Sequence, residues 1–354
     1  MPDADSLPSH TLPTPLRHGG DLARVMAAPG AYSGLWLDLS TGINPWPYPV
    51  GDLPLDLWAR LPGSALDTLL RERAAQYYSA AAPECVVAAP GSQALIQWLP
   101  RLRAVSRVAV LGPTYGEHAA AWAAAGHEVA TVAAPDALLG DWDVAVVTNP
   151  NNPDGRRLAP SWLTALAETL ARRGGWLVVD EAFADLEPGT SLAAEASRPG
   201  LIVLRSFGKF FGLAGLRLGF ALLAPALAAR LRAALGPWAV SGPAASIAAA
   251  AFSDGAWIAA TRMRLAAAAE RLDALILEAG LHIVGGTALY RLVEAPQPAM
   301  LRARLLRRGI YARDFPERPA WLRFGLPPNE EGFARLRQAL VAREPTPDES
   351  RPSP

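Results

Sequence analysis

The stretch Ser206-Phe207-Gly208-Lys209-Phe210-Phe211-Gly212-Leu213-Ala214-Gly215-Leu216-Arg217-Leu218-Gly219 decides how this chain is read. It follows a short apolar run, Leu201–Leu204, that predicts a buried strand, and it sets one lysine among glycines and aromatic rings. A lysine in such surroundings is desolvated, which lowers its pKa and frees the amine for Schiff-base chemistry. Taken alone, a lone lysine is more simply a surface side chain with its stem laid on apolar neighbours. The flanks shift that balance. Ser206 stands three residues before Lys209 and Arg217 eight after it, a hydroxyl and a guanidinium suited to a phosphate.

Outward from Lys209, further apolar runs occur at Val108–Leu111, Val144–Val147 and Trp176–Val179, with helix-like segments at Gly116–Ala125 and Pro160–Arg173 between them. Buried runs alternating with helices predict an α/β fold, a large doubly wound sheet covered on both faces. Ala65–Tyr78 carries apolar residues at helical spacing among Arg71, Glu72 and Arg73 and predicts an amphipathic helix. From Pro225 the pattern changes. Helical segments at Ala226–Leu235 and Ala244–Gly280 precede strand candidates His282–Val284, Ala288–Val293 and Trp321–Phe324, which bracket a helix at Pro298–Arg308. A smaller C-terminal α+β domain is expected there. The division is then an N-terminal arm over 1–50 packing on the small domain, a large domain over 51–224, a small domain over 225–343 and a disordered tail over 344–354.

Composition agrees with this outline. The 354 residues suit two domains, and 51% apolar against 19% charged residues excludes a disordered chain. Basic and acidic residues number 33 each, so the net charge is zero. Nucleic acid and anionic membrane both require a basic surface and are not expected as partners. Few charges also leave apolar surface to be covered, which predicts a homo-oligomer. Cys85 is the only cysteine, so neither an intrachain disulfide nor a cysteine-rich metal site is possible, and no metal is expected. Met1–Leu16 lacks the basic and apolar regions of a signal peptide. The uncharged stretch Ala233–Ser253 has the length of a membrane span, yet Gly236-Pro237 and Gly242-Pro243 break it twice. A cytoplasmic location is expected.

Three more segments carry polar groups at the ends of predicted elements. Val178-Val179-Asp180-Glu181-Ala182-Phe183 sets an acid after a buried strand, either as a helix cap or as a carboxylate that keeps a pyridinium nitrogen protonated. Asn149-Pro150-Asn151-Asn152-Pro153-Asp154-Gly155 follows the strand Val144–Val147 and by itself reads as a turn. Pro90-Gly91-Ser92-Gln93, opening a helix at Ala94, is either an ordinary cap or a phosphate seat built on backbone N–H groups. Each is weak alone. Their order and spacing together are strong.

That order resembles the fold-type I enzymes that use pyridoxal 5'-phosphate, in the branch with histidinol-phosphate aminotransferase, and the resemblance covers nearly the whole chain. It implies a large mixed-sheet domain, a smaller C-terminal domain and a homodimer. Carried over residue by residue, it implies that Lys209 bonds the cofactor and Asp180 pairs with its ring nitrogen. Asn152 would bond the phenolic oxygen, and Tyr115 would stack on the ring. Gly91, Ser92, Ser206 and Arg217 would hold the cofactor phosphate, and Arg323 would grip the substrate carboxylate.

Two segments narrow the resemblance. His18-Gly19-Gly20-Asp21, followed by Asp38-Leu39-Ser40-Thr41-Gly42-Ile43-Asn44-Pro45, is similar to the start of the threonine-phosphate decarboxylases of cobalamin biosynthesis. Ala89-Pro90-Gly91-Ser92-Gln93-Ala94-Leu95-Ile96-Gln97 is similar to the form found with the aerobic pathway. Phe183 stands where aminotransferases of the branch carry a tyrosine that donates to the phenolic oxygen, which counts against transamination. Asp154 replaces a threonine of the branch, and Leu61 replaces a tyrosine that reaches the neighbouring subunit's cofactor in the aminotransferases. The substrate so implied is L-threonine O-3-phosphate, a small phosphorylated amino acid. Its phosphate would meet His18, Asn44 and Arg313, with Gly42 and Ile43 lining the same site. Two rivals stand beside this reading: a histidinol-phosphate-type aminotransferase, and a non-catalytic accessory subunit of an amide-forming cobalamin complex. A retained Lys209–Asp180 pair favours catalysis, because a scaffold needs neither.

Overall fold

The computed structural model describes residues 18–341, so the expected tail at 344–354 and the Met1–Leu16 segment lie outside the described residues. Strand β1 (Leu37–Leu39) lies in the arm; β2 (Val86–Ala89), β3 (Arg107–Leu111), β4 (Glu128–Val132), β5 (Val144–Thr148), β6 (Trp176–Asp180), β7 (Leu201–Ser206) and β8 (Gly219–Leu223) follow. These seven form one sheet in the order β2-β8-β7-β6-β5-β3-β4, parallel except where β8 pairs with β2 and β7. Strands β5 to β8 are buried along their whole length, which is why β5, β6 and β7 read as apolar runs. Alternate residues supply the two faces. Val108, Val110, Val144, Val146, Ile202 and Leu204 pack into one core, while Ala109, Leu111, Ala145, Val147, Leu201 and Val203 pack into the other.

The second sheet joins β9 (His282–Thr287), β10 (Tyr290–Glu294), β11 (Ile310–Asp314) and β12 (Trp321–Gly325) to the arm strand, in the order β1-β11-β12-β10-β9. Strand β1 runs parallel to β11, and the remaining pairs are antiparallel. The arm, for which no strand was predicted, therefore contributes one, and that strand extends the second sheet.

Two further expectations need correction. The helix predicted over Ala244–Gly280 is two helices, Gly242–Ser253 and Gly255–Glu278, because Asp254 breaks the first and caps the second by accepting from the Trp257 N–H at 2.9 Å. The helix expected to open at Ala94 opens at Ser92, immediately after Gly91. The stretch Ala233–Ser253 is divided between separate helices, and no helix among the described residues is long and apolar enough to cross a membrane.

A buried ion network fixes the strand ends that carry the polar groups. Arg205 of β7 donates to Glu181 at 2.7 Å and Asp185 at 2.9 Å, and the Tyr77 hydroxyl donates to Asp185 at 2.9 Å. Such a cluster is tolerated in the interior because every charge has a partner. It ties the turn after Asp180 to the strand that ends in Ser206.

Candidate active site

The carboxyl ends of β5, β6 and β7 open into a cavity of about 870 Å³, the position where open parallel sheets bind ligands. Twelve of the residues singled out in the sequence line it. Asp180, Ser206, Lys209, Asn152, Tyr115, Gly91, Ser92 and Arg217 come from the large sheet and its loops, while His18, Gly42, Arg313 and Arg323 come from the arm and the second sheet. The other two do not. The half-buried Ile43 lies off the cavity wall. Asn44 is buried and uses its amide on the backbone, donating to the Phe210 carbonyl at 2.8 Å and accepting from the Trp46 N–H at 2.9 Å. Its own N–H donates to the Lys209 carbonyl at 2.9 Å. Asn44 therefore staples the arm to the Lys209 turn and does not line the cavity.

Lys209 follows β7 in a single helical turn, Phe207–Phe210, packed under buried aromatic rings. Its amine lies 5.9 Å from the centre of the Phe183 ring. Burial, reinforced by the Arg323 and Arg217 cations and opposed by Asp180, lowers its pKa to about 8. The amine is thus poised for nucleophilic and proton-transfer chemistry.

Asp180 ends β6 with one carboxylate oxygen accepting from the Ala182 N–H at 3.1 Å. The other lies 2.9 Å from Nε2 of His118, a buried imidazole on the helix Glu117–Ala124. Sequence reading missed His118. Its only signal is its place one helical turn after Tyr115, which brings the two rings to 6.1 Å.

Arg217 and Gly91 build a third corner. Arg217 adopts a left-handed backbone at φ +53°, an uncommon conformation for a side-chain-bearing residue that clusters at functional sites. Gly91 has φ +86°, and a Cβ there would lie 2.7 Å from an Arg217 guanidinium nitrogen. A Cβ on Gly219 would lie 2.3 Å from the Ser92 nitrogen. Only glycines permit this close approach of two chain segments and a guanidinium beside Ser92 and Ser206, a cradle of donors suited to a phosphate. With Asp180 fixed at one end and Lys209 beside it, the residues fit pyridoxal 5'-phosphate.

Tyr115 is held by Gln93 and Glu117, to which the sequence assigned no role. Its hydroxyl donates to Gln93 at 3.1 Å, Gln93 donates to Glu117 at 2.8 Å, and the His18 ring lies 2.9 Å from the same carboxylate. Burial, with Glu117 and Asp180 nearby, raises the Tyr115 phenol to about 12. His18 thus reaches the cavity, half-exposed and paired with Glu117.

Arg323 crosses from the second sheet. Its guanidinium donates to the Asn152 side chain and, at 2.8 Å, to the Ser40 carbonyl, while its buried Nε has no protein partner. Burial, together with Arg313, brings this guanidinium down to about 10, against the pull of Tyr290. Residue 313 stands directly opposite residue 323 in the antiparallel β11–β12 register. The cavity therefore has a base-like amine and an anchored carboxylate on one wall and two arginines on the other.

The family model for aminotransferase class I and II matches residues 56–340 of this chain. The threonine-phosphate decarboxylase of Pseudomonas aeruginosa is 49% identical over 333 residues, covering 93% of this chain and 99% of that protein. A protein of the same name from Sinorhizobium sp is 47% identical over 337 residues, with 93% and 99% covered. Among solved structures, histidinol-phosphate aminotransferase from Sinorhizobium meliloti, in complex with pyridoxal-5'-phosphate, matches at TM-score 0.73 and 21% identity, covering 95% of this chain and 98% of that one. L-threonine-O-3-phosphate decarboxylase from Porphyromonas gingivalis matches at TM-score 0.68 and 20% identity, covering 81% and 94%. The structural likenesses agree with the fold-type I architecture expected from the Lys209 segment. With the family model spanning both sheets and the Lys209 cavity, this chain belongs to the class I and II aminotransferase family.

Proposed function

We propose that this chain is a decarboxylase dependent on pyridoxal 5'-phosphate, converting L-threonine O-3-phosphate to (R)-1-amino-2-propanol O-2-phosphate and carbon dioxide for cobalamin biosynthesis. The observation that carries the reading is the cross-strand pairing of Arg313 with Arg323 on one cavity wall. Two guanidinium groups on one cavity wall suit a ligand with two anionic ends. A phosphorylated amino acid has a carboxylate at one end and a phosphate near −2 charge at the other. The two relatives at 49% and 47% identity, matched over nearly their full length, support the same substrate.

The residues that would hold the cofactor are Lys209, Asp180, Asn152, Tyr115 and the Gly91, Ser92, Ser206 and Arg217 cradle. When bound, pyridoxal phosphate supplies an electron sink for the pair left at Cα as the bond to the carboxylate carbon breaks. Asp180, oriented by His118, would stabilise positive charge on the ring nitrogen. Arg323 would take the substrate carboxylate and Arg313 the phosphate, with His18 beside it. Two anchors at opposite ends fix the torsion at Cα and so choose which bond stands perpendicular to the ring. Lys209, with its pKa near 8, would return a proton from Nζ to Cα after carbon dioxide leaves.

Phe183 favours decarboxylation over the histidinol-phosphate-type aminotransferase reading, because it has no hydroxyl to offer the phenolic oxygen and leaves that contact to Asn152. The Lys209–Asp180 pair in one cavity weighs against a non-catalytic accessory subunit. The proposed setting is a cytoplasmic homodimer. The exposed Leu55, Trp58, Leu61 and Trp238 support a second copy as partner. Phosphorus NMR of the loaded protein with L-threonine O-3-phosphate tests the reading. A new phosphate ester forming without any amino acceptor is expected, and a product that requires 2-oxoglutarate would overturn it.

A further inference from the structure

We propose that Tyr290 is a positioning residue that sets the plane of the Arg323 guanidinium and couples it to Asn152, and so orients the substrate carboxylate. The inference deepens the proposed function and rests on it, since it takes Arg323 as the carboxylate grip. Tyr290 is fully buried on β10 and does not line the cavity. Its hydroxyl donates to the Asn151 carbonyl at 2.6 Å, across from the second sheet to the loop after β5. Asn151 is itself pinned. It donates to the Pro113 carbonyl at 2.8 Å and to Asp154 at 2.7 Å, and accepts from the Thr114 hydroxyl at 2.7 Å.

The Tyr290 ring works on the other side. The Arg323 guanidinium carbon lies 5.0 Å from its centre, within cation–π range, and the Phe183 ring meets it edge-on at 5.1 Å. Gly42 presses against it so closely that a Cβ would lie 2.8 Å from the ring. The hydroxyl's hydrogen bond and these ring contacts hold the ring in place. Contacts close on themselves: the Tyr290 hydroxyl to the Asn151 carbonyl, the adjacent Asn152 side chain to Arg323, and Arg323 back to the Tyr290 ring. A guanidinium held only by hydrogen bonds at its two ends can still tilt. A fixed ring beneath it removes that freedom, and with it a degree of freedom of any carboxylate bound in fork geometry. Burial raises the phenol pKa, so the hydroxyl remains a donor throughout the working pH range.

The test compares Tyr290→Phe, which keeps the ring and loses the hydroxyl, with Tyr290→Leu, which loses both. Four quantities are read: KM and kcat for L-threonine O-3-phosphate, the ratio of amine transfer to carbon dioxide release, and the pH midpoint of the bound cofactor's visible absorbance without substrate. Tyr290→Phe is expected to raise KM about tenfold, the effect of one lost hydrogen bond, with thermal stability and cofactor binding near wild type. Tyr290→Leu should raise KM further and increase the share of amine transfer. A nearby Arg323 cation disfavours a proton on the Lys209 nitrogen, so an Arg323 freed to swing away is expected to move the absorbance midpoint to higher pH in both variants. Unchanged KM and midpoint in Tyr290→Phe would overturn the proposal, also if Tyr290→Leu failed to fold. Wild-type protein that released no carbon dioxide would count against the decarboxylase reading alone, and the substrate-free midpoint would still decide the role of Tyr290.

Discussion

Arg313 and Arg323 stand directly opposite each other across the antiparallel β11–β12 pair, and both line the cavity that Lys209 closes from the other side. Opposed residues of such a pair point to the same face of the sheet, so the backbone register alone sets the two guanidinium groups side by side. Their roles separate by substrate. Arg323→Gln should weaken every amino acid carboxylate, lowering kcat/KM by roughly 10²–10³ as expected for losing one partner of a buried charge pair. Arg313→Gln should penalise L-threonine O-3-phosphate by a similar factor while leaving affinity for unphosphorylated L-threonine unchanged. Equal losses for both substrates in both variants would contradict this division.

The lowered pKa of Lys209 has a signature in the cofactor-free protein. Its amine titrates at about 8 when folded and at 10.5 when unfolded. Between these values the unfolded chain holds a proton that the folded chain has released, so Lys209 makes stability rise with pH across that window. Lys209→Met should flatten this part of the stability–pH curve in denaturant unfolding. Labelling of Lys209 by an amine-directed reagent should show a half-maximal rate near pH 8, and a midpoint near 10.5 would contradict the buried environment.

His118 is expected to act through Asp180. Losing the 2.9 Å contact in His118→Phe removes a hydrogen bond to a charged group, about 1.5–3 kcal/mol, and should weaken cofactor retention roughly 10- to 100-fold. Equilibrium dialysis followed by cofactor absorbance measures this. Retention equal to wild type would leave the pair without a role in cofactor binding.

Phe183→Tyr would add a hydroxyl beside Lys209, whose amine lies 5.9 Å from the ring centre. Amine transfer to 2-oxoglutarate should rise relative to carbon dioxide release, measured by coupled assay of both products. An unchanged ratio would remove Phe183 from the determinants of reaction type.

The strands that two-sided burial gives long apolar runs, such as Val144–Thr148 and Leu201–Ser206, were legible in the sequence. The edge strand Glu128–Val132 was not, because partial exposure admits Glu128 and Thr131 and dilutes the signal. Gly219–Leu223 was hidden because it begins within the Lys209 segment itself and opens on a glycine. The three residues of Leu37–Leu39 are a strand only through pairing with Ile310–Ala312, a contact no local pattern announces. The Lys209, Asp180 and Arg217 positions could be read because glycines, strand ends and spacing mark them. His118 and Tyr290 could not, since each acts through a partner 62 or 139 residues away. Asn44 shows the opposite limit: the motif holds it in place, yet orientation turns its amide toward the backbone of Phe210 and Trp46 and away from the cavity.

The most direct measurement is carbon dioxide released from L-threonine O-3-phosphate by the protein loaded with pyridoxal phosphate, set against Lys209→Ala treated identically. The account predicts stoichiometric release with no amino acceptor present, and its loss in the variant. Release that persisted in Lys209→Ala, or amine transfer without release in the wild type, would contradict it.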